Sequence, residues 1–204
     1  MSCVIFGAGS YYGLVYRPQK EDYVIAADGG WQYCKREGIV PDLLLGDFDS
    51  LEVVPEFVHI HRVPVEKDDS DMMLAIKDGL AHGQREFHLY GGMGGARSDH
   101  TLANMQSLLY LTCHDARGWL YGDKERYTVI RNEAISFPAR QQGIMSVFCM
   151  GGDARGVTIS GAQYPLDDAS LSAEFPLGVS NHFIGKPITV SVRSGSLLIG
   201  LLDK

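Results

Sequence analysis

The chain has 204 residues, 45% of them apolar and 21% charged, with 25 acidic against 18 basic side chains. That balance excludes a collagen-like, disordered or coiled-coil chain, and a formal charge of −7 has the wrong sign for a surface that neutralises nucleic-acid phosphates. Uninterrupted apolar stretches such as Leu43–Leu45 fall far short of the roughly 18–20 residues that span a bilayer, so no membrane segment is expected. No basic residue precedes Arg17, and Cys3–Phe6 is too short for the apolar core of a signal peptide, so no export signal is expected either. The four cysteines, Cys3, Cys34, Cys113 and Cys149, form no C-x-x-C pair. They predict reduced thiols in a cytoplasmic protein, packed as small hydrophobes.

In chain order, Val4–Phe6, Val24–Ala26, Leu43–Leu45 and Phe87–Tyr90 are short apolar runs, each followed by Gly, Asp or both, the pattern of buried strands. Between them lie helical patterns. One starts at an N-cap Ser70, carries Met72, Ile76 and Leu80 on one face and stops at Gly83; another runs from Ser98 to Cys113, with Leu102, Met105, Leu108 and Leu109 as its apolar face. Strands alternating with helices predict an α/β domain over residues 1–130, with a mostly parallel sheet covered on both sides. Thereafter the period changes to two. Ile188, Val190 and Val192 alternate with Thr189, Ser191 and Arg193, and Ser194-Gly195-Ser196 supplies a turn before Leu197–Leu201. Residues 131–204 therefore predict a small antiparallel β-sandwich, undersized enough to lean on the first domain or on a second subunit.

Ligands of an open α/β sheet bind outside the carboxyl ends of its strands. There the sequence carries Asp28-Gly29-Gly30, then Gly46-Asp47-Phe48-Asp49-Ser50, then the glycine-rich stretch Gly91–Gly95 leading to Arg97-Ser98-Asp99-His100; a further acidic group, Lys67–Asp71, opens the clearest helix. In an extended segment Asp47 and Asp49 project to the same side. Two carboxylates ~4 Å apart repel by about 4 kcal/mol at an effective dielectric near 20, so either a proton or a cation sits between them. Oxygen donors without neighbouring His or Cys favour a hard divalent ion such as Mg2+. Gly91–Gly95 matches neither G-x-x-x-x-G-K-[ST] nor G-x-G-x-x-G. Its unhindered amides at a strand-to-helix junction, beside Arg97, nonetheless suit phosphate oxygens. Late in the chain, Tyr164 on Gly161–Leu166 and Ser180-Asn181 on Gly178–Asn181 offer a ring to stack on, and groups to hydrogen-bond, a flat polar ligand.

Taken together and in order, Ala27–Gly30, Pro41-Asp42, Gly46–Ser50, Lys67–Asp71, Gly91–His100 with Asn104, Gly161–Leu166 and Ser180-Asn181 resemble the thiamine pyrophosphokinase family. The resemblance implies an α/β domain holding ATP and metal, a β-sandwich holding thiamine, and a homodimer with active sites at the subunit interface. The reaction implied is transfer of pyrophosphate from ATP to thiamine, giving thiamine diphosphate and AMP. By the same resemblance Asp28, Asp47, Asp49 and Asp71 fall on the Mg2+ positions, with Asp47, Asp49 and Asp71 also on the catalytic ones. Gly29, Lys67, Gly92, Gly94, Gly95, Arg97 and Asp99 fall toward ATP, and Tyr164, Ser180 and Asn181 toward thiamine. Ser70 stands where Thr is frequent and Tyr164 where some members carry Trp, so hydroxyl and stacking face are both kept. No adenine motif maps onto Gly122–Ile130. Two other readings stay open at this point. Asp47-Phe48-Asp49-Ser50 also resembles the D-x-D-x-[ST] loop of haloacid-dehalogenase-like phosphatases, although here two strands precede it; and a non-catalytic thiamine or nucleotide sensor could share the fold.

Overall fold

The structure, a computed structural model, describes residues 1–46, the backbone of 59–62, and residues 68–95 and 97–203. The chain divides into two compact units, Met1–Ser107 with His114–Asp123, and Leu108–Cys113 with Lys124–Lys204.

In the first unit the strands are β1 (Cys3–Phe6), β2 (Tyr23–Ala27), β3 (Leu43–Gly46), β4 (His59–Arg62), β5 (Glu86–Tyr90) and β6 (Arg117–Tyr121). All pair in parallel, in the order β4-β3-β2-β1-β5-β6. The four apolar runs of the sequence are thus strands, and β1 is central and buried throughout. Its alternate residues face opposite layers. Val4 and Phe6 join Val24, Ala26, Leu44 and Tyr90 in a core that includes Cys34 of helix α1 (Trp31–Glu37). Cys3 and Phe87 meet Gly79 of helix α2 (Asp71–Ala81). Burial on both faces is why these strands read as continuous apolar runs rather than alternating ones.

Helix α2 begins as expected, with Ser70 Oγ accepting from the Met73 amide at 3.3 Å, which satisfies a first-turn donor. Met72 and Ile76 are buried on its inner face beside Ala75 and Gly79, while Leu80 is only half-buried. Helix α3 (Ser98–Thr112) is where its sequence pattern expects a helix, but its inner face differs. Leu102 is 65% exposed, whereas Asn104, Ser107, Leu108 and Leu111 are buried. Asn104 tolerates the interior because its Nδ2 donates to the Gly92 carbonyl at 2.8 Å, and Ser107 because its hydroxyl donates to the Ala103 carbonyl.

The second unit is built of antiparallel strands: β7 (Glu125–Arg131), β8 (Ala134–Phe137), β9 (Ile144–Cys149), β10 (Ala154–Ser160), β11 (Leu166–Leu171), β12 (Gly178–His182), β13 (Ile188–Ser191) and β14 (Ser196–Leu202). They form two sheets, β12-β9-β14-β7 and β11-β10-β13-β8. Ile188, Val190 and Val192 are buried as the alternation predicts. The turn at Ser194–Ser196 does not close a hairpin, however. β13 pairs with β8 and β10, while β14 pairs with β7 and β9, so the turn carries the chain from one sheet to the other. The cysteines are all free; Cys3 and Cys34 are buried, but Cys113 is exposed and Cys149 half-buried.

Candidate active site

The order β4-β3-β2-β1-β5-β6 reverses its winding between β1 and β5, because the chain travels outward through β2, β3 and β4 and then returns to the far side of β1. Loops leaving the two strands at such a point diverge and leave a crevice beyond their carboxyl ends. A cavity of about 720 Å3 opens there. Its walls are Gly7–Ser10 after β1, Ala27-Asp28 after β2, Ser70–Met72 at the start of α2, and Gly91, Gly92, Gly94 and Gly95 after β5; Arg97, Asp99, His100, Ala103 and Asn104 of the α3 start complete them, with Tyr33.

Two glycine-rich loops face each other across the crevice and are bonded at its base. Gly7 N–H donates to the Tyr90 carbonyl and Gly9 N–H to the Gly91 carbonyl, both at 2.8 Å, and Ser10 bridges Met93. This approach demands glycine: Gly91 has φ 64°, and a Cβ on it would stand 2.1 Å from the Gly7 carbonyl oxygen. The Tyr33 hydroxyl donates to the Gly9 carbonyl and anchors the first loop from α1. The amino ends of α2 and α3 both reach the cavity, adding amide donors and the positive ends of two helix dipoles. Backbone N–H groups and helix amino ends in this arrangement are chemically suited to phosphate oxygens.

The acidic residues sit at the same edge. Asp28 and Asp71 line the cavity. Asp28 occupies the left-handed region, at φ 48°, a conformation that costs an L-residue roughly 1–2 kcal/mol and that tends to persist where function requires it. Gly46, the last residue of β3, lies directly against Asp28; a Cβ there would stand 3.1 Å from the Asp28 Cα. Asp47 and Asp49, which follow Gly46 in the sequence, lie outside the described residues, as does Lys67. Among the described residues no group of three or more His, Cys, Asp or Glu converges to hold a metal ion. Asp28 and Asp71 offer carboxylate oxygens at this edge, donors suited to a hard divalent cation, while His100 lines the same cavity from the start of α3.

Of the residues expected to meet phosphate, Gly92, Gly94, Gly95, Arg97 and Asp99 line the cavity. Gly29 does not; it backs onto Ala8, whose Cβ would lie 3.3 Å from a Cβ at Gly29. Arg97 and Asp99 hold one another, Nη2 to Oδ2 at 2.7 Å and Nε to Oδ1 at 2.9 Å. The Arg97 hydrogen bonds hold the Asp99 carboxyl down at about 2, and Asp99 in turn pushes the guanidinium further up. The pair uses two of the five guanidinium N–H groups, so further donors remain for an anion. Sequence reasoning missed the Gly7–Ser10 loop. Its signal was present, a G-x-G step following the first apolar run, where the strand-end rule already directed attention.

In the second unit Tyr164 is 59% exposed. Asn181 is buried with its carboxamide bonded to the Tyr164 backbone, and Ser180 is exposed at φ 61°. The three expected thiamine-side residues are therefore neighbours, with different exposures.

A family model described as thiamin pyrophosphokinase, catalytic domain, matches residues 17–120, and one described as thiamin pyrophosphokinase, vitamin B1 binding domain, matches residues 133–197. The thiamine pyrophosphokinase of Bacillus subtilis is 28% identical over 191 residues, covering 86% of this chain and 85% of that protein. Among solved structures, the thiamine pyrophosphokinase of Bacillus subtilis is similar with a TM-score of 0.91 at 22% identity, covering all of both chains. That of Geobacillus thermodenitrificans is similar with a TM-score of 0.84 at 23% identity, covering 100% of this chain and 98% of that one.

Proposed function

Because the chain belongs to the thiamin pyrophosphokinase family, we propose that it transfers the β,γ-pyrophosphoryl group of ATP to the hydroxyethyl oxygen of thiamine, giving thiamine diphosphate and AMP. The observation that carries this reading is the cavity at the β1/β5 crevice, where two glycine-rich loops and two helix amino ends converge beside Asp28 and Asp71.

Phosphoryl chemistry needs positioning and charge neutralisation more than covalent help from the protein. Asp28 and Asp71, with Asp47 and Asp49, would hold Mg2+; when bound, the ion neutralises triphosphate charge and polarises the phosphorus under attack. Backbone amides of the glycine loops, Lys67 and Arg97 bind the phosphate oxygens and stabilise the charge that develops on them. The thiamine oxygen attacks the β-phosphorus, the bond from that phosphorus to the α-phosphate oxygen breaks, and AMP leaves. The alcohol proton passes to a carboxylate, Asp71 or one of the Asp47/Asp49 pair. Residues 1–130 hold ATP and metal in this scheme, and residues 131–204 hold thiamine. The exposed Tyr164 ring stacks on thiamine with Ser180 and Asn181 beside it, and an overall charge of −7 favours arrival of the cationic thiazolium.

The proposal extends to a cytoplasmic homodimer with active sites at the subunit interface. Its support is the apolar surface that the second unit leaves exposed at Phe175, Leu177 and Val179, of the kind that marks association sites. Among the described residues no helix is long and apolar enough to cross a membrane.

Incubation with ATP, Mg2+ and thiamine, followed by separation of AMP from ADP, tests the reaction. Equal amounts of AMP and thiamine diphosphate are expected. ADP would mean a monophosphate kinase, a phosphorylated Asp47 a phosphatase of the haloacid-dehalogenase kind, and no product a sensor.

A further inference from the structure

Strands β12 and β9 pair at Gly178 with Val147 and next at Asn181 with Met145, so three steps along β12 answer two along β9. The extra residue is a bulge, and bulges re-aim side chains. Here Ser180, at φ 61°, donates its N–H to Ser146 Oγ at 3.1 Å and keeps its side chain exposed. Asn181 turns inward, to 5% exposure. Its Oδ1 accepts from the amides of Tyr164 and His182, each at 2.9 Å, and its Nδ2 donates to the Tyr164 carbonyl at 2.7 Å. Nearby, Gln163 N–H donates to the His182 carbonyl and Ala162 bridges Phe183. The Asn181 side chain thus continues, with its own carboxamide, a ladder that the backbone began.

The two atoms gripped belong to the peptides on either side of Tyr164. Fixing both peptides fixes φ and ψ at Tyr164 and hence the direction of its Cα–Cβ bond. Pro165 acts in the same sense, since a residue before proline is confined to extended conformations. Both lone pairs of Asn181 Oδ1 are taken, so a ligand could use that oxygen only by releasing the Tyr164 loop. We infer that Asn181 is a positioning residue: its carboxamide aims the exposed Tyr164 ring at the ligand, and thiamine is met by Tyr164 rather than by Asn181. The inference rests on the reading of Tyr164 as the thiamine-stacking residue.

A double-mutant cycle on the full chain tests it, with thiamine KM, ATP KM and kcat measured for Asn181→Asp, Tyr164→Ala and the double variant. Asn181→Asp keeps size and acceptors but sets a carboxylate oxygen against the Tyr164 carbonyl. Tyr164→Ala is expected to raise thiamine KM about five-fold or more, the scale of a lost stack. Asn181→Asp should raise it several-fold with ATP KM within two-fold of the parent, and the double variant should be no worse than Tyr164→Ala alone. Asn181→Ala, which removes the grip without adding charge, should show the same non-additivity and covers the case in which the aspartate variant does not fold. Multiplying effects in the double variant would overturn the inference by showing that Asn181 meets thiamine itself. An unchanged thiamine KM in Tyr164→Ala would instead overturn the reading of Tyr164, a result distinct from the first.

Discussion

Replacing Gly9 by alanine asks whether the proposed nucleotide cavity depends on the close apposition of its two glycine loops. A Cβ at Gly9 would stand 2.5 Å from the Gly91 carbonyl oxygen and 3.2 Å from its carbon. Ordinary contact begins near 3.4 Å, and with backbone on both sides no side chain can swing away, so the loops must part by roughly 0.5–0.9 Å. Overpacking of this kind costs about 1–3 kcal/mol, and loss of the Gly9 N–H to Gly91 carbonyl bond adds about 1 kcal/mol. Together they correspond to a melting temperature lower by roughly 5–15 °C for a chain of this size. If, as proposed, the same loops place the phosphates, kcat/KM for ATP should fall about 10- to 100-fold, with thiamine KM within two-fold of the parent. Differential scanning calorimetry and steady-state AMP release, with each substrate varied in turn, measure both effects. Gly38→Ala is the control. Gly38 closes α1 at φ 66°, and a Cβ there would meet nothing within 4 Å, so it should cost about 1–2 kcal/mol and leave ATP kinetics alone. A Gly9→Ala enzyme with unaltered kcat/KM for ATP, or a Gly38→Ala enzyme with the same ATP defect, would refute the argument.

The other perturbations address charge. Asp28→Asn, Asp47→Asn or Asp49→Asn should each lower kcat by about 100-fold or more with an unchanged circular dichroism spectrum; near-native turnover at limiting Mg2+ would remove the affected residue from the metal site. Arg97→Ala should raise ATP KM while barely moving the melting temperature, because its ion pair with Asp99 is solvent-exposed, and a fall in melting temperature without a KM change would point to a purely structural pair. His88, stacked between Tyr16 at 3.8 Å and Tyr121 at 5.9 Å, is pushed down to about 4 by burial, which outweighs the opposing pull of Asp22. Above pH 6.5 it is neutral whether folded or unfolded; between pH 6.5 and 4 only the unfolded chain takes up the proton, so stability falls with pH across that window, by about 2 kcal/mol once partial exposure is allowed for. His88→Phe keeps a ring in the stack and should flatten this acid limb in thermal melts; an unchanged pH slope would assign it to other groups.

How much of this was legible beforehand follows from what each element depends on. The runs at Val4, Val24, Leu43 and Phe87 announced strands because a strand buried on both faces has no polar side to break the pattern. Ser70 announced α2 because an N-cap is a local device. Helix α3 was placed but its inner face was misjudged: apolarity put Leu102 inside, yet Asn104 is buried because a carbonyl twelve residues away receives its amide. The Ser194–Ser196 turn was visible, but its partner strands were not, since turn chemistry says nothing of which sheet comes next. Asp28 and Asp71, which line the cavity, could be read from their places at a strand end and a helix start; Asp47 and Asp49, read from their spacing, lie outside the described residues. Gly7 and Gly9 show as a G-x-G step after the first apolar run, but their pairing with Tyr90 and Gly91 does not, since no local pattern names such long-range partners. Ser180-Asn181 was noticed as a pair, but only the bulge separates an exposed hydroxyl from an inward carboxamide.

The position of β1 at the middle of the parallel sheet has a consequence for biosynthesis. Val4 faces His88 across the β1/β5 pairing, so one edge of the innermost strand waits for a neighbour that the ribosome supplies more than 80 residues later. At about 5–20 residues per second that delay is roughly 4–17 s. Throughout it one edge of a wholly apolar strand stays unpaired, the kind of edge that invites aggregation. A chain ending before Tyr90 would lack the complete strand that covers this edge of β1.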